Sequence, residues 1–329
     1  MRVAQLRSAR RRRNYLLSFI GHRFPLSLCL ACSSAFGQLP ETPVEIASLP
    51  KTAYPPSIRV DSDLVLIPVT VLDQDDHSFT GLRKEHFRVF DNKTEQVITQ
   101  FAIEDVPVSI GFVFDSSASM AGKFRTSKEA VARFLKTANA ADEFFLVQFN
   151  DRIELRVDLT KQTEEVQKQL RFVQAQGFTA LLDAIHFSIG QMQNAHNLRR
   201  ALIVVSDGGD NCSRYSVHEL KNLMRGSDVQ IYAMGIFDAF DKRSRRPSLL
   251  REITQQSGGR MFEIEDLRDL PKVASEIGEA LRNQYLLGYA PLNVQRDGKY
   301  HRLEVKLIQP RESPKLRASW RRGYYARVD

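Results

Sequence analysis

"GFVFDSSASM" (residues 111–120) runs apolar to Phe114 and turns polar at Asp115. An apolar run of this length reads as a buried strand. Asp115, Ser117 and Ser119 then follow at alternate positions, so a carboxylate and two hydroxyls sit together where the strand ends.

Outward from this point the pattern is strand–helix alternation. Apolar strands are expected at 108–114, 144–149, 153–159, 200–206, 229–235 and 260–264. Helices are expected at 127–138, 164–173, 180–192, 217–225, 249–257 and 270–281. Such alternation predicts an α/β fold, a doubly wound and mostly parallel sheet with helices on both faces.

The flanks read differently. "DLVLIPVTVLD" (63–73) is a strand in which Pro68 marks an edge position or a bulge. Residues 86–105 read as a hairpin turning near Asn92 and Lys93, and "QYLLGYAP", "YHRLEVKLIQ" and "KLRASWRRGYYA" make 284–329 β-rich. Neither flank has enough apolar surface for its own core, so the two are expected to pair as one sandwich-like domain. The expected organisation is a targeting segment at 1–37, a Pro-rich linker at 38–57, a β segment at 58–106, the α/β domain at 107–283 and a second β segment at 284–329.

The net charge of +8 is local. Seven arginines lie in residues 1–37, which hold no acid, so the remainder is nearly neutral and a general polyanion-binding role is excluded. The same residues combine a basic start, an apolar stretch and Ala35-Phe36-Gly37, the features of an export signal. "RRNYLL" (12–17) has the look of a twin-arginine signal, and Cys32 that of a lipoprotein site. The mature chain would then be periplasmic, surface-bound or secreted. Cys29 and Cys32 fall inside this segment, which leaves Cys212 alone and without an intrachain partner.

Two more segments place oxygen donors at strand or helix boundaries: Thr179 in "QGFTALLDAI" and Asp207 in "SDGGDN". Ligands of open α/β sheets sit at the carboxyl ends of the strands. Taken singly, each segment has a plain reading: an N-cap for the serines and for Thr179, a turn residue for Asp207. Together, two carboxylates and three hydroxyls form an all-oxygen set of the kind hard divalent cations take. Short donors need close backbone approach, which accounts for glycines at 122, 177, 208 and 209.

Over about residues 107–283 the sequence resembles the von Willebrand factor A-type (VWA) family with its metal-ion-dependent adhesion site, or MIDAS. The resemblance implies that Ser117, Ser119 and Thr179 supply hydroxyl ligands and that Asp115 and Asp207 supply carboxylates, directly or through water. It implies Mg²⁺, or Mn²⁺ or Ca²⁺, as the ion, and a protein partner's carboxylate at the remaining position. The implied function is cation-dependent protein binding or adhesion. The flanks resemble those of exported bacterial VWA-related proteins.

The alternative is a metal-dependent hydrolase or phosphatase-like enzyme using Asp115 as acceptor. Ser117 stands where such an enzyme needs a second aspartate, and no GxSxG elbow or phosphate-binding loop is present. A third reading gives the metal a purely structural role. His186 and His196 read as solvated or packing histidines, and Cys212 as a small packing residue close to the site. "FDAFDKRSRR" (237–246) reads as a solvated loop or as a basic rim that steers acidic ligands.

Overall fold

The structure, a computed structural model, describes residues 64–75, 77–103, 106–237, 247–291, 298–310 and 313–326. The segments expected to serve as export signal and linker, and residues 238–246 of the expected loop or basic rim, lie outside the described residues.

The N-terminal flank forms β1 (Val65–Leu72), β2 (Phe87–Asp91), β3 (Thr94–Gln96) and β4 (Gln100–Ala102). The α/β region follows as β5 (Val108–Asp115), α1 (Phe124–Leu135), β6 (Glu143–Phe149), β7 (Ile153–Thr160), α2 (Thr163–Phe172) and α3 (Leu181–Gln191). It continues through β8 (Arg199–Ser206), α4 (Val217–Arg225), β9 (Val229–Ile236), α5 (Pro247–Ser257), β10 (Met261–Ile264) and α6 (Leu270–Arg282). The C-terminal flank adds β11 (Tyr285–Tyr289), β12 (Tyr300–Leu307), β13 (Arg317–Ser319) and β14 (Gly323–Tyr325).

The central sheet has the order β10-β9-β8-β5-β6-β7, parallel except for β7 against β6. Every residue of β5, β6 and β9 is buried. That is why these strands read as continuous apolar runs: helices cover both faces. Phe112 and Phe114 pack with α1 and α6 residues such as Phe134 and Ile277, whereas Val113 points to the opposite core with Leu181 and Leu220 of α3 and α4.

The flanks build two antiparallel sheets, β13-β1-β11-β4 and β14-β12-β2-β3, each drawing strands from both ends of the chain. Val65, Ile67, Val69, Phe87, Val89, Tyr285, Leu287, Leu303 and Val305 share one core between them. The hairpin turn lies at Asn92 and Lys93, with φ of 46° and 73°. Two successive positive φ values give the backbone twist that a two-residue hairpin needs.

Pro68 bears out the edge-position expectation locally rather than for the whole strand. β1 is an interior strand without a bulge at this residue, since Pro68 lies opposite Leu286 of β11. The proline is tolerated because β13 pairs only with Thr70–Leu72, which leaves β1 paired on one side at Pro68.

Helix α1 also starts earlier than its pattern implies. Ser127, where the helix was expected to begin, lies inside its first turn, and its hydroxyl donates back to Lys123 O at 2.8 Å. Two residues join α6 to β11, and one of them, Gln284, is buried at the junction of the two regions. Its amide nitrogen lies 3.0 Å from Thr70 Oγ1, 2.9 Å from Gln230 Oε1 and 3.0 Å from the Tyr232 hydroxyl, and its oxygen accepts from Arg199 at 2.8 Å.

Candidate metal centre

β5 delivers Asp115 to the carboxyl end of the sheet, fully buried. Its Oδ1 accepts from the Ser117 amide at 2.9 Å and its Oδ2 from the Ser206 hydroxyl at 2.6 Å. Burial pushes the carboxyl up to about 6, and the nearby Asp207 charge adds to this, while the bonds from Ser206 and Ser117 pull it down. Ser116 serves the sheet instead: its amide and its hydroxyl both donate to Phe149 O. Ser117 precedes the short helical turn Ala118–Lys123 that carries Ser119, and their hydroxyl oxygens lie 3.1 Å apart.

A second loop locks onto the first. Ala118 N donates to Gly177 O at 3.1 Å, and Gln176 N to Ser116 O at 2.7 Å. Gly177 has φ +79°, and a Cβ there would meet Asp151 Oδ1 at 2.1 Å, so only glycine fits. Thr179 follows, 4% exposed. Its amide donates to Asn211 Oδ1, and its carbonyl accepts from the Asn211 and Cys212 amides. These bonds join the Thr179 loop to the loop carrying Asp207. Asp210 Oδ1 accepts from Leu181 N at the start of α3.

Asp207 closes the set. Its Oδ1 accepts from Gly209 N at 3.2 Å and its Oδ2 lies 3.4 Å from Lys123 Nζ. The position a Gly209 Cβ would take is 3.3 Å from Asp207 Oδ1 and 3.9 Å from Thr179 Oγ1, so these two donors face one small space that glycine keeps open.

All five residues singled out in the sequence therefore meet at one end of the sheet. The donor set fits a hard cation. Adjacent ligands of an octahedral Mg²⁺ at about 2.0–2.1 Å lie about 3 Å from each other, and the Ser117 and Ser119 hydroxyls stand 3.1 Å apart. The set holds oxygen alone, with no sulfur or imidazole among it. Sequence reasoning missed Ser206, Lys123 and Asn211. Ser206 was visible only as the last residue of an apolar run, and Lys123 and Asn211 reach the site through contacts distant in sequence.

The von Willebrand factor type A domain family matches residues 109–276, just over half of the chain. The chain belongs to this family. An uncharacterised protein of Borreliella burgdorferi is 26% identical over 182 residues, which are 49% of this chain and 52% of that one, so the chain spans about half the length of this curated relative. Among solved structures, a von Willebrand factor type A protein from Catenulispora acidiphila is 14% identical, with 82% of this chain and 75% of that one covered at a TM-score of 0.49. Proximal thread matrix protein 1 of the mussel byssus, with a zinc-occupied MIDAS motif, is 18% identical, with 58% and 49% covered and a TM-score of 0.49.

Other polar groups of the VWA region do other work. Cys212 is exposed rather than a packing residue, and burial followed by the charges of Asp210, Asp151 and Asp183 raises its thiol pKa. His186 stacks on Tyr215 with ring centroids 3.8 Å apart. His196 bonds Glu143 Oε2 at 2.9 Å at the opposite ends of the strands, and Ser109 Oγ donates to the same carboxylate at 2.5 Å. Among the described residues, no helix is long and apolar enough to cross a membrane.

Proposed function

We propose that the chain is a divalent-cation-dependent protein-binding module. Asp115, Ser117, Ser119, Thr179 and Asp207 hold the ion, as Mg²⁺, Mn²⁺ or Ca²⁺, and a carboxylate of a partner protein completes its shell. The observation that carries this reading is the convergence of two carboxylates and three hydroxyls at the end of β5 and β8, with Ser117 and Ser119 at octahedral-edge separation. When bound, the ion supplies a Lewis-acidic point to which an acidic side chain can attach. The chain's part is to hold the donors rigid, and the loop-to-loop hydrogen bonds do so. This arrangement is a recognition device that needs no catalytic base.

Residues 107–283 are taken as the VWA domain, inserted between 58–106 and 284–329, and residues 1–37 as an export signal on their basic start and apolar run. The test is binding of an aspartate-bearing peptide, N-acetyl-Gly-Asp-Gly-amide, to the full chain. Binding is expected in Mg²⁺ or Mn²⁺, with reversal by EDTA, loss in Thr179→Val and an unchanged circular dichroism spectrum. Equal binding in EDTA would overturn the reading.

A further inference from the structure

Lys123 ends the short helical turn Ala118–Lys123, and Ser127 pins its carbonyl at the start of α1. Its ammonium lies 3.4 Å from Asp207 Oδ2, with the two side chains 15% and 6% exposed. An ammonium carries only donors and cannot ligate a cation. A fixed positive charge thus stands on one oxygen of a carboxylate whose other oxygen faces the space shared with Thr179. Asp210, a neighbouring carboxylate, is committed elsewhere, to Leu181 N and Ser213 Oγ.

We propose that Lys123 is a second cation of this site, one that weakens the hold on the divalent ion and strengthens the hold on an acidic partner. The proposal rests on the metal reading above. Asp115 and Asp207 bring two negative charges. A divalent ion cancels them, so Lys123 adds one positive charge beside the loaded donors, which the more distant Asp151 and Asp210 offset only in part. Lys123 and a bound ion would both draw on the Asp207 carboxylate, and the two positive charges would repel each other. The surplus charge favours an anionic ligand over a neutral one such as an amide carbonyl or a water. Lys123 thereby narrows the partner's contact to a carboxylate and trades ion affinity for that selectivity.

The test uses the full chain, stripped with EDTA, as wild type, Lys123→Gln and Lys123→Arg. Mn²⁺ is titrated first, then N-acetyl-Gly-Asp-Gly-amide into the Mn²⁺-saturated protein. Lys123→Gln should bind Mn²⁺ roughly tenfold tighter and the peptide several-fold weaker, as expected for removing one charge a few ångströms away. Lys123→Arg, which keeps the charge, should stay near wild type in both. Lys123→Met keeps the apolar stem and should give the same two signs, which covers the case of a misfolded glutamine variant. A merely structural lysine would lower both affinities together. Mn²⁺ affinity unchanged or reduced in both charge-removing variants overturns this inference alone. A wild type that binds no Mn²⁺ overturns the metal reading and this inference with it.

Discussion

The Ser206 hydroxyl donates to Asp115 Oδ2 at 2.6 Å and ties together the ends of the neighbouring parallel strands β8 and β5. Asp115 is fully buried, and burial lifts its carboxyl from 3.8 to about 6 even against this bond. An acid with a raised folded pKa holds its proton more tightly when folded than when unfolded. The folded state therefore loses stability as pH rises from 3.8 to about 6, and above that the loss is complete. Asp115→Asn, which cannot ionise, should be more stable than wild type in EDTA by up to about 3 kcal/mol at pH 7.5 and by about 1 kcal/mol at pH 4.5. Urea titrations at the two pH values check this. The same difference at both would contradict the account. Proton and metal compete for one carboxylate, so Mn²⁺ affinity should also fall below about pH 6.

Metal removal should leave the fold intact. The loops that carry the donors are bonded to each other directly, by Ala118 to Gly177, Gln176 to Ser116 and Asn211 to Thr179. Saturating ion at 100 times its Kd adds about 2.7 kcal/mol by mass action, a few degrees in melting temperature for a chain of this size. Thermal melts in EDTA and in excess Mg²⁺ test this. A collapse of the fold in EDTA would favour a purely structural metal.

The sandwich carries its own buried polar centre. Asp91 accepts from Tyr289 at 2.7 Å and Tyr324 at 2.8 Å through Oδ2, and its Oδ1 lies 2.9 Å from His301 Nδ1. Burial pushes the Tyr324 hydroxyl up to about 12. Asp91→Ala leaves the buried Tyr289 and His301 and the half-buried Tyr324 without their acceptor and should cost about 3–5 kcal/mol. Tyr324→Phe removes one bond and should cost about 1 kcal/mol. Denaturant midpoints measure both. An Asp91→Ala midpoint equal to wild type would show that the cluster adds nothing to stability.

Gly258 makes the contact between the end of α5 and the C-terminal strands. It has φ +82°, and a Cβ there would meet the Trp320 and Arg321 backbones at 2.4 Å. Gly258→Ala should cost about 2–4 kcal/mol, since strain and clash act together. Gly122 was expected to serve close approach of the donors but has nothing within 4 Å of its Cβ position, so that reason fails for it and Gly122→Ala should cost under about 1 kcal/mol. Equal losses in chemical denaturation would rule out close approach as the reason for Gly258.

Much of this molecule was legible in its sequence, for physical reasons that can be named. Strands such as β5 and β9 are buried along their whole length, so apolarity alone marks them. Asp115, Ser117, Ser119, Thr179 and Asp207 could be singled out as candidates because each lies where one strand or helix gives way to the next segment. The pairing of β1 with β11 followed from two flanks that each lacked a core. Pro68 marked a local edge in a strand that is interior elsewhere, because β13 ends at Ser319 opposite Thr70, a fact of tertiary register. Ser206 and Lys123 stayed hidden because their roles exist only across β8, β5 and the first turn of α1.

The most direct measurement is titration calorimetry of Mg²⁺ and Mn²⁺ into the full chain, wild type beside Asp115→Ala, with circular dichroism of both. The account predicts one ion per chain for wild type and none for the variant, with the fold kept in each. Ion binding that survives in Asp115→Ala, or a wild type that binds neither ion, would contradict it.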